Sequence, residues 1–541
     1  MNRIRVLDCT LRDGGYVNNF LFGSKAIKDI IKGLSKVGID IIECGFLQSG
    51  ADNPDASLFG NVKQIQEVIG EKNENLMYVA MIQYGAISDA EIPPCDGRSI
   101  DGIRLTFHEH EIEPAFALGR SLIDKGYKVF MQPVGTTAYE DGTLIELVKK
   151  INVLKPFAFY MVDTLGMMYQ NDLLRMFYII DHNLDKRIAL GFHSHNNLQM
   201  SFANAQELVQ LNSPRNIIID ASILGMGRGA GNLNTELLIQ YLNVNFKTCY
   251  DSLELMNILD EYIRPLAAIH KWGYDAAYYI AAATGCHPNY ASFLLNLQTL
   301  NMHDINTILS GLEKKKRALF DKAYIEAEYL NYMDHSADDR QALAEIAAKI
   351  GSRKVLLLAP GKSVRDNAEK IRQMAKDGAY YVISINFQPH EIPIDMLYIS
   401  NLKRFKNVND LGEHKTPCVV VTSNIKTGHA KDVLVVNYSS YLNEDRLIVD
   451  NAGLMCINLL KRINVKQLTL AGFDGFSRNV KENYYEKSLY LDVEEERLAD
   501  MNAAIARRFQ QLVKQLEITF LTGSSYETAK ETVSETPGEQ Q

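Results

Sequence analysis

The sequence lacks the features that mark several classes of protein. Its 541 residues contain no uninterrupted apolar stretch of the roughly 20 residues that a membrane helix needs. The first residues, MNRIRVLDCTLRDGG, already read as a strand and carry acidic side chains, unlike a secretory leader. The net charge of −9 is spread along the chain without a sustained basic stripe. We therefore expect a soluble cytoplasmic protein that binds neither membranes nor nucleic acid.

Cysteine spacing excludes a disulfide framework or a zinc cage. The chain has seven cysteines, an odd number, and none is in a C-x-x-C pair. We interpret them as reduced thiols, most of them in the core: Cys9, Cys44, Cys95, Cys249, Cys286, Cys418 and Cys456.

The first half of the chain alternates short apolar runs with helix-length amphipathic segments. Segments such as SKAIKDIIKGLSKVG place apolar residues at helical spacing and end in a glycine suited to a helix C-terminus. This pattern predicts a (β/α)8 TIM barrel over residues 1–250, with a doubly wound open sheet as the alternative. The predicted strands are 5–11, 40–46, 77–84, 102–107, 128–134, 157–164, 187–195 and 216–225.

Three further regions follow the predicted barrel, as expected for a chain too long for one core. Residues 251–350 read as packed helices that extend the barrel, because the strand signals stop there. A second alternating pattern runs through KVLLLAP, YYVISIN, MLYIS, CVVVTSN, VLVVNY and QLTLAGF, and it predicts an open Rossmann-like α/β domain over 351–520. Residues 521–541 are polar and poor in aromatic side chains, so we expect a disordered tail.

Polar side chains collect where the barrel strands end. In a TIM barrel the carboxyl ends of the strands surround one cavity, so these side chains are candidates for catalysis or substrate binding. The set comprises Arg12, Asp13, Glu43, Thr106, His108, His110, Gln132, Asp163, Thr164, His193, His195 and, in the loop after the eighth strand, Asn232.

The strongest metal-binding signal is His193-Ser194-His195. Residues two apart on a strand point to the same face, so both imidazoles can face one ion. A closed barrel brings Asp13, on the first strand, near the seventh. Two neutral histidines and one carboxylate leave coordination positions open, as a catalytic metal site requires. The alternative is that both histidines are hydrogen-bonded rim residues.

Arg12 would point away from Asp13 on an ideal strand. Its side chain reaches the cavity only if the strand bends or ends there, and Gly14 and Gly15 supply a bend. The plainer interpretation is that Arg12 pairs with a carboxylate of the barrel wall such as Glu43. The two interpretations are compatible.

The motifs LDCTLRDGG, GFHSHNN and GMGRGAGNLNTE resemble, in this order, those of the DRE-TIM metallolyase superfamily. That group includes 4-hydroxy-2-oxovalerate aldolases, hydroxymethylglutaryl-CoA lyase, and isopropylmalate and homocitrate synthases. The resemblance covers residues 1–300 and is strongest to the 4-hydroxy-2-oxo acid aldolases. It implies that Asp13, His193 and His195 are metal ligands, with Asn232 close to the ion. It also implies that Arg12 stabilises an enolate oxygen and that Tyr290, in PNYASFLL, is an active-site residue.

The resemblance further implies a reaction and a cofactor. We expect a carbon–carbon bond next to a 2-oxo acid to be made or cleaved through a metal-stabilised enolate, as in splitting a 4-hydroxy-2-oxo acid into pyruvate and an aldehyde. The expected cofactor is Mn²⁺ or Mg²⁺, with Zn²⁺ as the alternative, and the expected assembly is a homo-oligomer. Two other functions stay open: a Claisen-type acyl-CoA condensation, and a non-catalytic barrel that supports a nucleotide-binding second domain.

One position departs from the aldolase pattern. Where the aldolases have a histidine base three residues after the metal-binding aspartate, this chain has Tyr16. His108 is a candidate replacement, because an imidazole with an ordinary pKa near 6.5 suits proton transfer at neutral pH. A rim histidine without a catalytic role is the alternative.

The second predicted domain carries a candidate phosphate site. KVLLLAPGKS reads as a buried strand, a glycine turn and a helix N-terminus, where free backbone N–H groups can bind an anion. The segment distantly resembles Rossmann-like domains of the pterin pyrophosphokinase and sialyltransferase kind. We expect Gly361, Ser363 and Asp474 to contact a nucleotide or other phosphorylated ligand, and a purely structural α/β domain is the alternative.

Overall fold

The computed structural model describes residues 4–211, 213–297, 299–335, 337–401, 404–405, 417–425, 427, 433–477, 483–486, 489 and 495–527. Its internal contacts divide the chain into two compact units. The first comprises Met1–Ser292 and Leu309–Asp321, and the second comprises Phe293–Ile308 and Lys322–Gln541. The domain boundaries proposed from the sequence stay predictions, and the predicted disordered tail lies outside the described residues from position 528 onward.

The first unit contains a closed parallel barrel. Strand β1 pairs with β9 on one side and with β2 on the other, which closes the sheet and excludes the open-sheet alternative. A two-residue strand, β3, pairs with β2 outside the ring. The strands are β1 (Ile4–Asp8), β2 (Ile41–Leu47), β3 (Leu58–Phe59), β4 (Met77–Gln83), β5 (Gly102–Phe107), β6 (Lys128–Pro133), β7 (Ala158–Asp163), β8 (Ala189–Ser194) and β9 (Ile217–Ala221).

All eight predicted barrel strands are present, but two end early. Strand β1 stops at Asp8 and the chain then turns, with the Asp13 N–H donating to the Cys9 carbonyl at 2.8 Å. Strand β9 stops at Ala221, before the glycine-rich loop. The predicted glycine end of the first helix is confirmed, since Gly38 has φ +82°, where a side chain would be strained.

Helices cover the outside of the barrel and continue beyond it. A layer of apolar side chains fills the space between strands and helices, and a smaller cluster including Leu7, Val79, Phe130 and Tyr160 fills the barrel interior. The helices up to residue 350 are α1 (Ser24–Val37), α2 (Val62–Ile69), α3 (Ile112–Asp124), α4 (Asp141–Leu154), α5 (Gln170–Asn183), α6 (Ser201–Gln210), α7 (Thr235–Phe246), α8 (Ser252–Ile258), α9 (Arg264–Ile269), α10 (Ala276–Ala283), α11 (Pro288–Leu297), α12 (Met302–Gly311), α13 (Lys314–Arg317), α14 (Lys322–Met333) and α15 (Arg340–Ile350).

The second unit contains a separate, all-parallel open sheet. Its strands are β10 (Lys354–Leu358), β11 (Tyr380–Ile385), β12 (Met396–Ile399), β13 (Cys418–Thr422), β14 (Val433–Val436), β15 (Gln467–Ala471) and β16 (Glu517–Phe520). Their order is β14-β13-β12-β11-β10-β15-β16, so the chain reverses direction across the sheet between β10 and β15. The predicted runs are all strands, whereas β16 was not predicted. Its side chains are only partly buried, so its sequence carries a weak apolar signal.

The helices of this sheet are α16 (Lys362–Asp366), α17 (Ala368–Lys376), α18 (Ala452–Arg462) and α19 (Glu495–Leu512). Within the described part of the chain, none of the helices combines the length and the apolar character needed to cross a bilayer.

Candidate metal centre

Asp13, His193 and His195 meet at the carboxyl end of the barrel. One ligand atom from each lies within 4.8 Å of the others, and all three residues are buried. His193 is on β8, and His195 follows the strand end, where an isolated bridge pairs it with Asn232. The two imidazole rings are 5.3 Å apart and nearly perpendicular. Barrel closure therefore brings together ligands from the two ends of the barrel sequence.

His193 is oriented by Asp220 on β9. The imidazole Nδ1 donates to the Asp220 carboxylate at 3.0 Å, which leaves Nε2 with its lone pair for a metal. Asp220 also accepts from the Tyr160 hydroxyl at 3.0 Å and from Arg104. The Tyr160 ring has room because its inward neighbour on β8 is Gly191, where an added Cβ would lie 2.2 Å from the ring.

Asp13 is held as a carboxylate. Arg12 donates to its Oδ1 at 2.5 Å and the Asn232 amide donates to its Oδ2 at 2.6 Å. Burial alone would raise the pKa of Asp13, but Arg12 and the two histidines hold that pKa well below its usual range. Burial has the larger effect on His195 and lowers its pKa to about 4, so the imidazole is neutral at physiological pH. Both ionisation states are those that a metal requires of its ligands.

Two buried polar atoms beside the triad are available to a cation. His195 Nδ1 and Asn232 Oδ1 have no hydrogen-bond partner among the described residues. His195 Nδ1 lies 3.9 Å from Asp13 Oδ2, too far for a hydrogen bond. A buried polar atom without a partner costs free energy, and a cation would satisfy both atoms. The donor set thus fits a divalent ion.

Comparison with known proteins agrees with this geometry. A family model described as HMGL-like matches residues 110–261. The matched model and the relatives named below belong to the DRE-TIM metallolyase superfamily. The relatives named below are lyases and aldolases, and the DRE-TIM aldolases use a divalent metal.

Relatives that match the barrel half of the chain are lyases and aldolases at low identity. The oxaloacetate decarboxylase of Mycobacterium tuberculosis is 28% identical over 245 residues, which are 44% of this chain and 69% of that protein. The 4-hydroxy-2-oxovalerate aldolase of Bacillus thuringiensis is 25% identical over 324 residues, which are 58% of this chain and 91% of that protein. Among solved structures, the HMG-CoA lyase of Brucella melitensis is 16% identical, covers 49% of this chain and 99% of that one, and has a TM-score of 0.40.

A network of buried charges surrounds the candidate metal centre of the barrel. Glu43 accepts from Arg12 Nε at 2.8 Å and from Arg104 at 2.6 Å, so Arg12 pairs with the barrel-wall carboxylate, and its access to the cavity stays a prediction. With its amide oxygen turned toward Arg104, Gln132 accepts from the guanidinium Nε at 2.6 Å. Glu43 and Gln132, predicted to bind substrate, therefore contact the two arginines.

The other predicted residues of the barrel lie at the expected strand ends, but several have partners within the fold. Asp163 accepts from the N–H groups of Met167 and Met168, and burial raises the pKa of Asp163 to about 6. The Thr164 hydroxyl accepts from the Gly135 N–H at 2.9 Å. Their roles in substrate binding stay predictions.

The two remaining predicted catalytic residues differ in their surroundings. His108 is half-buried and stacks on His110, with ring centres 5.7 Å apart. Tyr290 is fully buried, and its hydroxyl lies 2.8 Å from the Lys316 carbonyl and 2.7 Å from that of Leu319. Because these contacts engage the Tyr290 hydroxyl, a catalytic role would require it to exchange partners. Both roles stay predictions.

Sequence reasoning missed four residues around the metal centre. Arg104 and Asp220 are charged residues inside otherwise apolar strands, and that interruption is a signal that could have revealed them. Arg228 lies in the GMGRGAG loop, with its guanidinium carbon 3.6 Å from the centre of the Tyr16 ring. His287 has no comparable sequence signal. Burial, Arg228 and His195 together lower the pKa of His287 to about 3.

In the second unit, the predicted phosphate-binding residues contact one another. The Ser363 N–H donates to the Asp474 carboxylate at 2.8 Å, and the Ser363 hydroxyl donates to the same group. An added Cβ on Gly361 would lie 2.6 Å from Asp474 Oδ2. Because a carboxylate already occupies this turn, a phosphate placed there would meet electrostatic repulsion.

Proposed function

We propose that the barrel makes or breaks a carbon–carbon bond next to a 2-oxo acid, as in cleavage of a 4-hydroxy-2-oxo acid to pyruvate and an aldehyde. The observation that carries the proposal is the buried Asp13–His193–His195 triad with the Arg12 guanidinium beside it. The names of the two relatives, 4-hydroxy-2-oxovalerate aldolase and oxaloacetate decarboxylase, also denote lyases of 2-oxo acids.

The triad and Asn232 would hold the metal. The donor set mixes carboxylate and amide oxygens with imidazole nitrogens and leaves positions open, so we expect Mn²⁺ or Mg²⁺ rather than Zn²⁺. A bound divalent cation would supply Lewis-acid polarisation of the carboxylate and ketone oxygens of a 2-oxo acid.

Arg12 would stabilise the charge that develops on the ketone oxygen. Its Nε donates to Glu43 and one terminal nitrogen donates to Asp13, while the other terminal nitrogen, NH2, is buried without a partner among the described residues. The two ion pairs hold the guanidinium plane in place, so the free N–H groups need no reorganisation to bind an enolate oxygen. A donor that is already oriented stabilises the developing negative charge most strongly in a site from which water is excluded.

Decarboxylation is a second candidate reaction, favoured by Tyr16. Aldol cleavage needs a base that removes a proton from the substrate hydroxyl, and the resemblance places such a histidine where this chain has Tyr16. Loss of CO₂ from oxaloacetate produces the same pyruvate enolate without removal of a hydroxyl proton. The relative named oxaloacetate decarboxylase adds support to this candidate.

The test combines metal add-back with a substrate panel. Chelated protein would receive Mn²⁺, Mg²⁺ or Zn²⁺ and then pyruvate with acetaldehyde, oxaloacetate alone, or pyruvate with acetyl-CoA. We expect metal-dependent turnover of the first or second substrate set and none in His193→Ala, whereas His182→Ala, an exposed histidine on α5, should match the parent. Turnover only with acetyl-CoA would identify the Claisen alternative. No metal binding and no turnover would favour a non-catalytic barrel.

A further inference from the structure

A cavity of about 250 Å³ lies within the second unit, at the carboxyl edge of its sheet. The segments that follow β10, β11, β12 and β15 all line it. The chain reverses direction across the sheet between β10 and β15, and open parallel sheets bind ligands in the crevice at such a point. The cavity thus lies where the topology favours a ligand.

Helix α18 contributes free backbone donors to the cavity. The helix packs against β11, and its first residues, Ala452 and Gly453, line the cavity. The Asn451 side chain accepts from the Leu454 N–H at 3.1 Å, whereas the N–H groups of Ala452 and Gly453 have no hydrogen-bond partner among the described residues. Free N–H groups at the start of an 11-residue helix favour an anion.

The hydroxyl of a largely buried serine independently indicates a polar ligand. Ser400, immediately after β12, is 6% exposed and lines the same cavity. Its backbone N–H donates to Asn386 Oδ1 at 3.1 Å and its carbonyl accepts from Asn424, but its hydroxyl has no partner in the described part of the chain. Polar groups of largely buried residues are normally hydrogen-bonded, so the Ser400 hydroxyl, on a residue that lines the cavity, is available to a ligand.

We propose that this cavity binds a nucleotide, with a phosphate at the N-terminus of α18 and at Ser400. The charged residues of the lining are Arg404, which would pair with the phosphate, and Asp450 and Asp474, which already accept hydrogen bonds from the Tyr329 hydroxyl and from Ser363. Phe473, Phe476 and Tyr526 supply aromatic surface for a base. The phosphate position differs from the Gly361 turn predicted from the sequence, because Asp474 occupies that turn.

The proposal is tested by calorimetric titration of the full chain with AMP, CMP, UMP and GMP, with adenosine and inorganic phosphate as partial ligands. Ala452→Pro removes one N–H donor at the first helical position, where proline is tolerated, and Asn451 already has the extended conformation that a following proline requires. Ser400→Ala removes the hydroxyl. Hydrogen bonds to a charged group contribute about 1.5–3 kcal/mol, so each variant should weaken binding of the best nucleotide at least about tenfold.

Ser363→Ala is the matched control, because it alters the Gly361 turn, where the sequence had predicted the phosphate. We expect this variant to bind the nucleotide as the parent does. Loss of affinity in Ser363→Ala with none in Ala452→Pro and Ser400→Ala would overturn the proposed phosphate position. Absence of binding by all four nucleotides to a folded parent chain would overturn the site itself.

A second, independent observation concerns Arg228 in the barrel unit. Its guanidinium is half-buried, lies over the Tyr16 ring, and forms no hydrogen bond or ion pair with the described residues. The preceding residue, Gly227, is so close to the metal centre that an added Cβ would lie 2.9 Å from Asp13 Oδ2. Because the Arg228 guanidinium has no hydrogen-bond or ion-pair partner among the described residues, its N–H donors are available to a substrate bound beside the candidate metal ligands.

We infer that Arg228 binds a second carboxylate of the substrate, which selects dicarboxylic 2-oxo acids. The inference rests on the proposed function, because the first carboxylate is assigned to the metal centre. A planar guanidinium can donate two parallel hydrogen bonds to a carboxylate, and the Tyr16 ring restricts its orientation.

The test uses two five-carbon 2-oxo acids that differ in the terminal carboxylate. Equilibrium binding of 2-oxoglutarate and 2-oxopentanoate would be measured on Mn²⁺-loaded protein, for the parent, for Arg228→Leu and for the exposed control Arg187→Leu. We expect the parent and the control to prefer 2-oxoglutarate at least about tenfold, and Arg228→Leu to lose this preference while its affinity for 2-oxopentanoate is unchanged. Equal binding of both acids by the parent, or a preference retained in Arg228→Leu, would refute the inference alone. If neither acid binds the parent protein, both the Arg228 inference and the proposed function are refuted.

Discussion

His193 donates through Nδ1 to the Asp220 carboxylate at 3.0 Å, and this contact couples the metal centre to the buried charges of the barrel. Asp220 also contacts Arg104, which in turn contacts Glu43, the partner of Arg12. The orientation of a metal ligand and that of the proposed enolate-binding arginine therefore depend on one connected network.

Asp220→Asn should weaken metal binding about 10- to 100-fold, the usual effect of altering the partner of a ligating histidine. The amide no longer carries the charge that fixes the His193 proton on Nδ1. Metal titration by calorimetry would measure the change. Tyr160→Phe, which removes only a neutral hydrogen bond to Asp220, is the control and should bind metal nearly as the parent does. Equal metal affinity in Asp220→Asn and the parent would contradict the assigned role.

Arg12→Lys should bind metal within a few-fold of the parent but turn over about 100-fold more slowly. An ammonium cannot contact Glu43, Asp13 and an enolate oxygen with the geometry of the guanidinium. Turnover and metal content would be measured on the same preparation. A variant as fast as the parent would remove Arg12 from the mechanism.

Gly227→Ala should abolish activity without unfolding the protein. The added Cβ would lie 2.3 Å from Asn232 Nδ2 and 2.9 Å from Asp13 Oδ2, so the loop or the ligands must move. Gly142→Ala is the matched control, because a Cβ there meets nothing within 4 Å. Activity and thermal unfolding of both variants would be compared with the parent. Full activity in Gly227→Ala would contradict this prediction, because it would show that the loop shifts to accommodate the Cβ without disturbing the candidate metal ligands.

Stability should depend on pH through Asp8, a buried carboxyl outside the metal centre. Burial raises the pKa of Asp8 from 3.8 to about 6, although Thr235 and Thr10 donate to it. A raised carboxyl pKa means that the folded state binds the proton more tightly. The contribution of Asp8 therefore destabilises the fold progressively as pH rises from about 4 to about 6.

Asp8→Asn cannot ionise; its amide oxygen can still accept from the Thr10 N–H, and its amide N–H can donate to the Thr235 hydroxyl. Denaturant unfolding at several pH values should show a smaller decline between about pH 4 and 6 in the variant than in the parent. Parallel pH profiles for the two proteins would contradict the assignment to Asp8.

The barrel strands and the histidine pair could be predicted from the sequence. Strand period and helix period are local properties, so the eight barrel strands emerged from apolar alternation. The two-residue spacing of His193 and His195 was enough to place both imidazoles on one side, as their 5.3 Å separation shows. The glycine pair after Asp13 was expected to supply the bend, but β1 already ends at Asp8 and the chain turns at Cys9, whose carbonyl accepts from the Asp13 N–H.

Only the tertiary structure decided which distant residues became partners. Closure of the sheet between β1 and β9 brings Asp13 to the histidines, and the pairing of β1 with β2 brings Arg12 to Glu43; no local period encodes either register. Arg104 and Asp220 pair across the barrel interior because both face inward from different strands. The sequence predicted an anion site at the Gly361 turn. In the fold, the Ser363 N–H of that turn donates to the Asp474 carboxylate instead. Local patterns determine periods and turns, whereas the availability of a polar group depends on what long-range packing places against it.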